Sequence, residues 1–450
     1  MTAATSGFRA FAILWCGQFV SLTGSALAGF GLGVYVYRIT GSVTTLGFVY
    51  ALAYLPLILA SPVAGSLVDR WGPWRALLVS NVGSMLAVLT LAGLLATETF
   101  DVWHLYVFVA VNSTLRALQM PAFESSVPLL VPKQHLGRAN GIRMLALAAS
   151  EVLAPVSAGA LLLSLGIKGI VLLDGLSFGL ALLTLIAIRI PKAVRGGPAA
   201  TAGTPTLLGD FREAWRQVRK RHGLLALLVF IGALNFCAGF VDLLITPLVL
   251  SFGSPGALGT VMSIGGLGMI AASVAMSAWG GPRRKVHGVL GFSLVLATAI
   301  VLGALRPNVI LVGGAAFLFL ASLAVVITSN QTLWQSKVEP YLMGRTMALQ
   351  NMVASAPQLV AYAMAGLLAD RVFEPLVGRD QVRHPVLAAL VGDGPGRGIA
   401  LLLMVMGLLT AVCVAVAWAY RPLRRLEDDL PDATPDRAED AVPAGDAARL

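Results

Sequence analysis

Charged side chains stand inside long apolar runs of the chain: Arg116, Glu124, Glu151, Asp174 and Asp242, of which Arg116, Glu151 and Asp242 are the candidates for coupling. A charge at mid-bilayer costs at least ~2.5–3.5 kcal/mol on insertion scales, so each must face a cavity or a partner. A carboxylate so placed can take up and release a proton, under the control of a neighbouring guanidinium. Arg116 and Glu151 fall near the middle of consecutive antiparallel runs, so they should face inward and lie within one or two side-chain lengths of each other. Asp242, the only acid of the seventh run, is the rival proton site. Gln18, Ser21, Ser25, Asn112, Gln119, Asn235, Asn330 and Trp334 are the candidates for lining a cavity between such runs. This is chemistry of binding and proton exchange, with no catalytic set. No metal-ligand cluster and no Gly-x4-Gly-Lys-Ser/Thr phosphate loop occurs, so neither a cofactor nor ATP is expected. Cys16, Cys237 and Cys413 lack disulfide or metal-site spacing.

Composition decides what must hold these residues. Of 450 residues, 57% are hydrophobic and 12% charged, the latter half the ~25% of a soluble domain. A mean hydropathy of +0.82 excludes a soluble enzyme, a disordered chain and a nucleic-acid-binding domain. The apolar runs predict twelve helices, near 11–37, 43–68, 76–97, 103–127, 139–164 and 168–190, then 223–251, 256–279, 286–305, 308–335, 344–370 and 398–420. The fold class is therefore an all-α membrane protein of two six-helix bundles. The predicted parts are a first bundle (1–190), a linker (191–222), a second bundle (223–420) and a disordered tail (421–450) that is rich in acids. In the linker, Phe211, Trp215 and Val218 recur at helical spacing among basic residues, which predicts a short helix on the membrane surface. The halves repeat one another: Leu136-Gly137-Arg138 matches Met343-Gly344-Arg345, and Ala158-Gly159 matches Ala365-Gly366. Likewise Gly41-Ser42 with Leu46-Gly47 matches Gly253-Ser254 with Leu258-Gly259.

The net charge of +10 points to membrane topology, with no nucleic-acid partner implied. With the N-terminus inside, 24 of the 32 Lys and Arg residues fall on the inner side. Arg38, Lys168, Arg306, Arg371, Arg379, Arg383 and Arg397 fall outside, and Arg116 lies within a helix. This bias places both termini in the cytoplasm of a multi-pass protein, and the Arg-rich, Ala-rich composition points to a bacterial inner membrane.

The loop after the second run carries Gly65, Asp69, Arg70, Gly72 and Arg75. Gly65 allows close helix approach, Asp69 can cap a helix or pair with a base, and Gly72 permits a tight turn. This loop resembles the signature of the major facilitator superfamily, where it locks the cytoplasmic side. Pro73 and Trp74 stand where that signature has bases, and the matching loop at Trp279–Lys285 has the bases without the acid. Arg116 and Gln119 resemble a second motif of the superfamily, linked to proton coupling. Gly141, Ser150, Ala154, Pro155, Ala158 and Gly159 fall at the spacing of its antiporter signature, with Ser or Ala at three of the Gly positions. The whole resembles the drug- and macrolide-efflux and enterobactin-exporter branch. The resemblance implies a monomeric secondary transporter, not an enzyme, that exports amphiphilic drug, antibiotic or siderophore-like molecules by proton antiport. A lysophospholipid flippase or uptake symporter of the same fold is an alternative, and a non-transporting receptor or assembly factor is another. No role is assigned to the long loop at 370–398.

Overall fold

The computed structural model describes residues 8–131, 150, 154, 157–188, 190, 207–279, 281–338, 343–377 and 394–431. Helices dominate, and no strand occurs among the described residues. The first bundle contains α1 (Phe8–Thr40), α2 (Val43–Trp71), α3 (Pro73–Ala96), α4 (Val102–Leu130), α5 (157–164) and α6 (Gly166–Ala187). After α7 (Leu207–Lys220) come α8 (His222–Phe252), α9 (Pro255–Trp279), α10 (Lys285–Leu305), α11 (Val309–Lys337), α12 (Met343–Leu368) and α14 (Arg397–Ala419). A π-helical turn (Ala369–Phe373) and the short α13 (Glu374–Val377) extend α12. Most of the run expected at 139–164 lies outside the described residues.

Ten helices among the described residues are long and apolar enough to cross a membrane. The 29-residue α4 also has the length, but Arg116, Gln119 and Glu124 lower its hydropathy. Large aliphatic side chains such as Leu59, Leu176, Leu183 and Ile310 stand exposed on the outside of the bundles. That surface suits lipid, since the helices satisfy their own backbone groups and leave only side chains to meet the hydrocarbon. Within the first bundle α1 packs on α6, α2 on α4, and α3 on both α4 and α6. Within the second, α8 packs on α12 and α14, α11 on α9 and α10, and α10 on α14.

The predicted linker helix is present as α7. Val218 is buried against the second bundle, while Arg212, Trp215, Arg216, Arg219 and Lys220 are exposed. The Arg221 guanidinium donates to the Lys337 carbonyl (2.8 Å), which ties the end of the linker to α11. This end of the molecule is called the linker face below.

The tail departs from the disordered segment expected from residue 421. Residues 421–431 turn back as α15 (Arg421–Arg424) and α16 (Leu426–Asp429), with Leu423 and Leu426 buried in the linker-face core of the second bundle. The composition of the acidic stretch hid three local facts. Two leucines face the bundle, Glu427 accepts from the backbone N–H groups of Lys285 (2.9 Å) and Val286 (3.0 Å) at the start of α10, and Asp428 pairs with Arg284 (3.4 Å).

Candidate functional site

Each bundle contains a cavity that reaches its charged residue. In the first, α1 supplies Trp15, Gln18, Phe19, Ser21 and Ser25, and α4 supplies Arg116, Gln119, Phe123 and Glu124, around about 110 Å³. Five of the expected site residues, Gln18, Ser21, Ser25, Arg116 and Gln119, thus meet in one place. Helical spacing explains it: residues three and four apart share a face, and Arg116, Gln119 and Phe123 fall on one side of α4.

An amide network organises this cavity. The Gln119 amide donates to both Gln18 Oε1 (2.9 Å) and Asn81 Oδ1 (3.2 Å), joining α4 to α1 and α3. Ser25 donates to Asp174 Oδ1 (3.0 Å), and Ser177 donates to the Asp174 carbonyl (2.7 Å). The Asp174 side chain on α6 is buried. The packing of α1 on α6 thus brings Asp174 to Ser25, a lining residue of the cavity. Glu151, the partner expected from the sequence, lies outside the described residues. Asn112 accepts from Ser84 (2.8 Å), which uses it to join α4 to α3.

The second bundle has two cavities. One, about 260 Å³, is walled by apolar residues of α8–α12 and α14, with Asp242 and Gln358 as its polar members. Asp242 is open to this cavity. Its Oδ2 accepts from the Tyr362 hydroxyl (2.6 Å), which in turn accepts from Gln358 Nε2 (2.8 Å). Tyr50 and Tyr54 of the first bundle pack on the Tyr362 ring at 5.4 and 5.3 Å between centroids. Asp242 is thus one hydroxyl away from the contact between the two halves. The other cavity, about 440 Å³, is lined by the amides of Asn235, Asn330, Gln331, Gln335, Gln350 and Asn351. Asn235 and Asn330 stand where the sequence reading put them. Trp334 does not line a cavity wall: it is buried in the linker-face core, and its indole N–H is taken by Asn330 Oδ1 (3.2 Å). A tryptophan one turn beyond an asparagine on a helix can satisfy its N–H locally and sink into the core, and it does so here.

Opposite the linker face, two close seams join the halves. Gly366 of α12 meets the start of α2, where an added Cβ would stand 2.5 Å from Thr44 Cα. Gly47 completes this seam, since a Cβ there would stand 2.6 Å from the Tyr362 carbonyl oxygen. Asp370, in the π-helical turn, caps α2 across the seam. Its carboxylate accepts from the Ser42 hydroxyl (3.0 Å) and from the N–H groups of Val43 (3.1 Å) and Thr44 (2.8 Å). At the other seam Gly159 of α5 meets the start of α9, where a Cβ would stand 3.2 Å from the Pro255 carbonyl oxygen. In the antiporter-like set, Ser150 bonds Thr23 (2.9 Å), and Ala154 and Ala158 are buried against α1 and α6. Gly141 and Pro155 lie outside the described residues.

The loop between α2 and α3 turns at Gly72, whose φ of +83° suits glycine. Trp74, which replaces a base of the signature, donates from its indole to the Leu185 carbonyl (3.3 Å) and fixes the loop to α6. Arg70 and Arg75 are exposed, and the Gly65 and Asp69 side positions lie outside the described residues. The counterpart loop turns at Gly281, φ +78°, and the acid missing from its own sequence arrives from the tail as Glu427 and Asp428.

Comparison with known proteins agrees with this architecture. The family model described as Major Facilitator Superfamily matches residues 14–362. Macrolide efflux protein A of Streptococcus pyogenes is 23% identical over 376 residues, covering 80% of this chain and 90% of that protein. The multidrug efflux pump Tap of Mycobacterium bovis is 25% identical over 372 residues, covering 77% and 84%. Among solved structures, a bacterial homolog of the human lysosomal transporter Spinster superposes with a TM-score of 0.71 at 12% identity, covering 94% of this chain and 98% of that one. A bacterial homologue of the iron transporter ferroportin gives 0.66 at 15% identity, covering 93% and 100%.

Proposed function

The chain belongs to the Major Facilitator Superfamily of membrane transporters, and we propose that within it the protein exports amphiphilic small molecules across a bacterial inner membrane in exchange for protons. The linker face is then cytoplasmic, in line with the positive-inside bias, and the protein works as a monomer built from bundles 1–190 and 223–420 joined by 191–222. The observation that carries this reading is the pair of cavities, one per bundle, each mostly apolar and each reaching a carboxylate within the membrane-spanning helices. Apolar walls suit an amphiphile, and the names of the macrolide and multidrug efflux relatives favour that class.

Asp242 is the site that would couple proton to motion. Ionised, it accepts the Tyr362 hydroxyl bond; protonated, it becomes a donor and no longer holds that bond in the same sense. Tyr362 also packs on Tyr50 and Tyr54, so the proton state of Asp242 bears on the contact between halves, and the proton taken up from outside would accompany the return to the cytoplasm-open state. Arg116, with Asp174 and Glu151, forms the second coupling group, and the small residues of the antiporter-like helix keep the path between bundles narrow.

The test is uptake of a macrolide and a cationic dye into proteoliposomes with an acidic lumen, cytoplasmic face outward. Accumulation that a protonophore abolishes and ATP does not affect supports the reading. Flux unchanged by the protonophore removes proton antiport. Asp242→Asn should lose gradient-driven accumulation and keep substrate counterflow. Retained accumulation there, with loss in Asp174→Asn or Glu151→Gln, moves the coupling role to the first bundle.

A further inference from the structure

Buried donors at and beside the cavity of the first bundle lack acceptors. Trp15 Nε1, Gln18 Nε2 and Asn81 Nδ2 are buried and have no hydrogen-bond partner. Gln18 is 8% exposed and Asn81 0%. Their vacancy follows from the network: Gln119 spends its amide protons on the oxygens of Gln18 and Asn81, so both of those amides are left with NH₂ groups to place. A buried donor without a partner costs about 1–3 kcal/mol, and such groups in a folded protein call for an explanation. Trp15 and Gln18 both line the cavity, and so does Arg116, which is open to it. An indole N–H and a guanidinium can only donate, so the polarity of the site does not depend on which way the amides are turned. Beside the donors, the Trp15 and Phe19 rings stack at 5.4 Å and 4° between planes, and Phe123 adds a third aromatic wall. Glu124, two turns from Arg116 on α4, also lines the cavity.

We propose that this cavity binds the carbonyl or carboxylate oxygen of an amphiphile, which accepts from Trp15, Gln18 and Arg116 while the apolar body lies on the Trp15–Phe19 slab. This deepens the export reading and rests on the cavity being part of the transport path.

The experiment uses the full chain in nanodiscs and three fluorescent probes: dansyl-labelled undecanoic acid, its methyl ester, and dansyl-labelled undecylamine. Trp15→Phe keeps the ring and removes the donor; Gln18→Met keeps the length and removes the amide. Each should weaken acid and ester binding by about tenfold, as expected for one lost buried hydrogen bond, and leave the amine within twofold. Arg116→Gln should weaken the acid more than the ester. The proposal is overturned if neither acceptor probe binds the wild type saturably, if Trp15→Phe and Gln18→Met leave both unchanged, or if the amine suffers equally. The transport reading is judged separately: binding that follows this pattern with no gradient-driven flux removes export and keeps the site.

Discussion

At the seam between α12 and α2, Gly366 rests on Val43 and Thr44; at the seam between α5 and α9, Gly159 rests on Pro255 and Gly256. These are the same contact made twice, because the glycines belong to the internal repeat and so do the helix starts they touch. Both helix starts carry their own serine cap, Ser42 to Thr45 N–H and Ser254 to Ala257 N–H, each at 3.2 Å. The seams differ in what lies four residues past the glycine. In the first it is Asp370, which ties α2 with three hydrogen bonds; in the second it is Leu163, exposed and apolar. Pro255 also removes one of the N–H groups that a carboxylate there would use. We take the first as the tied seam and the second as the sliding one: among the described residues only the first has a carboxylate tie, which a transporter that opens on this face must break.

The comparison is broken most directly at the glycines. Gly366→Leu forces a branched side chain into a space with no room for a Cβ, and overpacking of about 1–3 kcal/mol should cut counterflow in proteoliposomes by about 10–100-fold. Gly159→Leu, with more room, should be the milder of the pair; equal or greater damage there would show that the tie does not distinguish the seams. Next comes Asp370→Ala. Hydrogen bonds to a charged group contribute about 1.5–3 kcal/mol each. Losing them should raise labelling of an Ala365→Cys reporter by an impermeant thiol reagent, applied opposite the linker face, at least ~tenfold, while Leu163→Ala leaves it unchanged. Leu163→Asp sharpens the contrast by offering the sliding seam a carboxylate. It should slow turnover by a few-fold, about what one or two net hydrogen bonds contribute, and an unchanged rate would mean the helix starts are not equivalent in use. The smallest effect is expected from Glu427→Gln on the opposite face. It should cost about 1 kcal/mol in thermal unfolding and leave Ala365→Cys labelling as in the parent.

Much of this was legible in the residues. Apolar run lengths placed eleven of the twelve expected helices within a few residues of the described ones, and the paired Ala158-Gly159 and Ala365-Gly366 marked the internal repeat to which the seams belong. Side-chain direction on one helix was also readable, so Arg116 and Gln119 share a cavity. What the sequence withheld are pairings across large separations. Nothing near Asp370 points to Ser42, more than 300 residues away, and nothing in α6 points Asp174 to Ser25 of α1. These depend on how bundles pack, which composition and periodicity do not encode. Trp334 shows the reverse error: an aromatic among polar residues looked like a wall, and a partner one turn earlier let it be core.

The docked turns after α14 also carry a consequence for biosynthesis. Chains are made from the N-terminus at roughly 5–20 residues per second, so every membrane-crossing helix exists before residues 421–431. Until those residues emerge, the N–H groups of Lys285 and Val286 lack the Glu427 carboxylate, and Lys337 lacks the carbonyls of Glu427 and Leu430. The second bundle is therefore inserted first and sealed last. A message truncated just past Ala419 yields a chain that keeps α14 and the helices before it and leaves this end of the second bundle open.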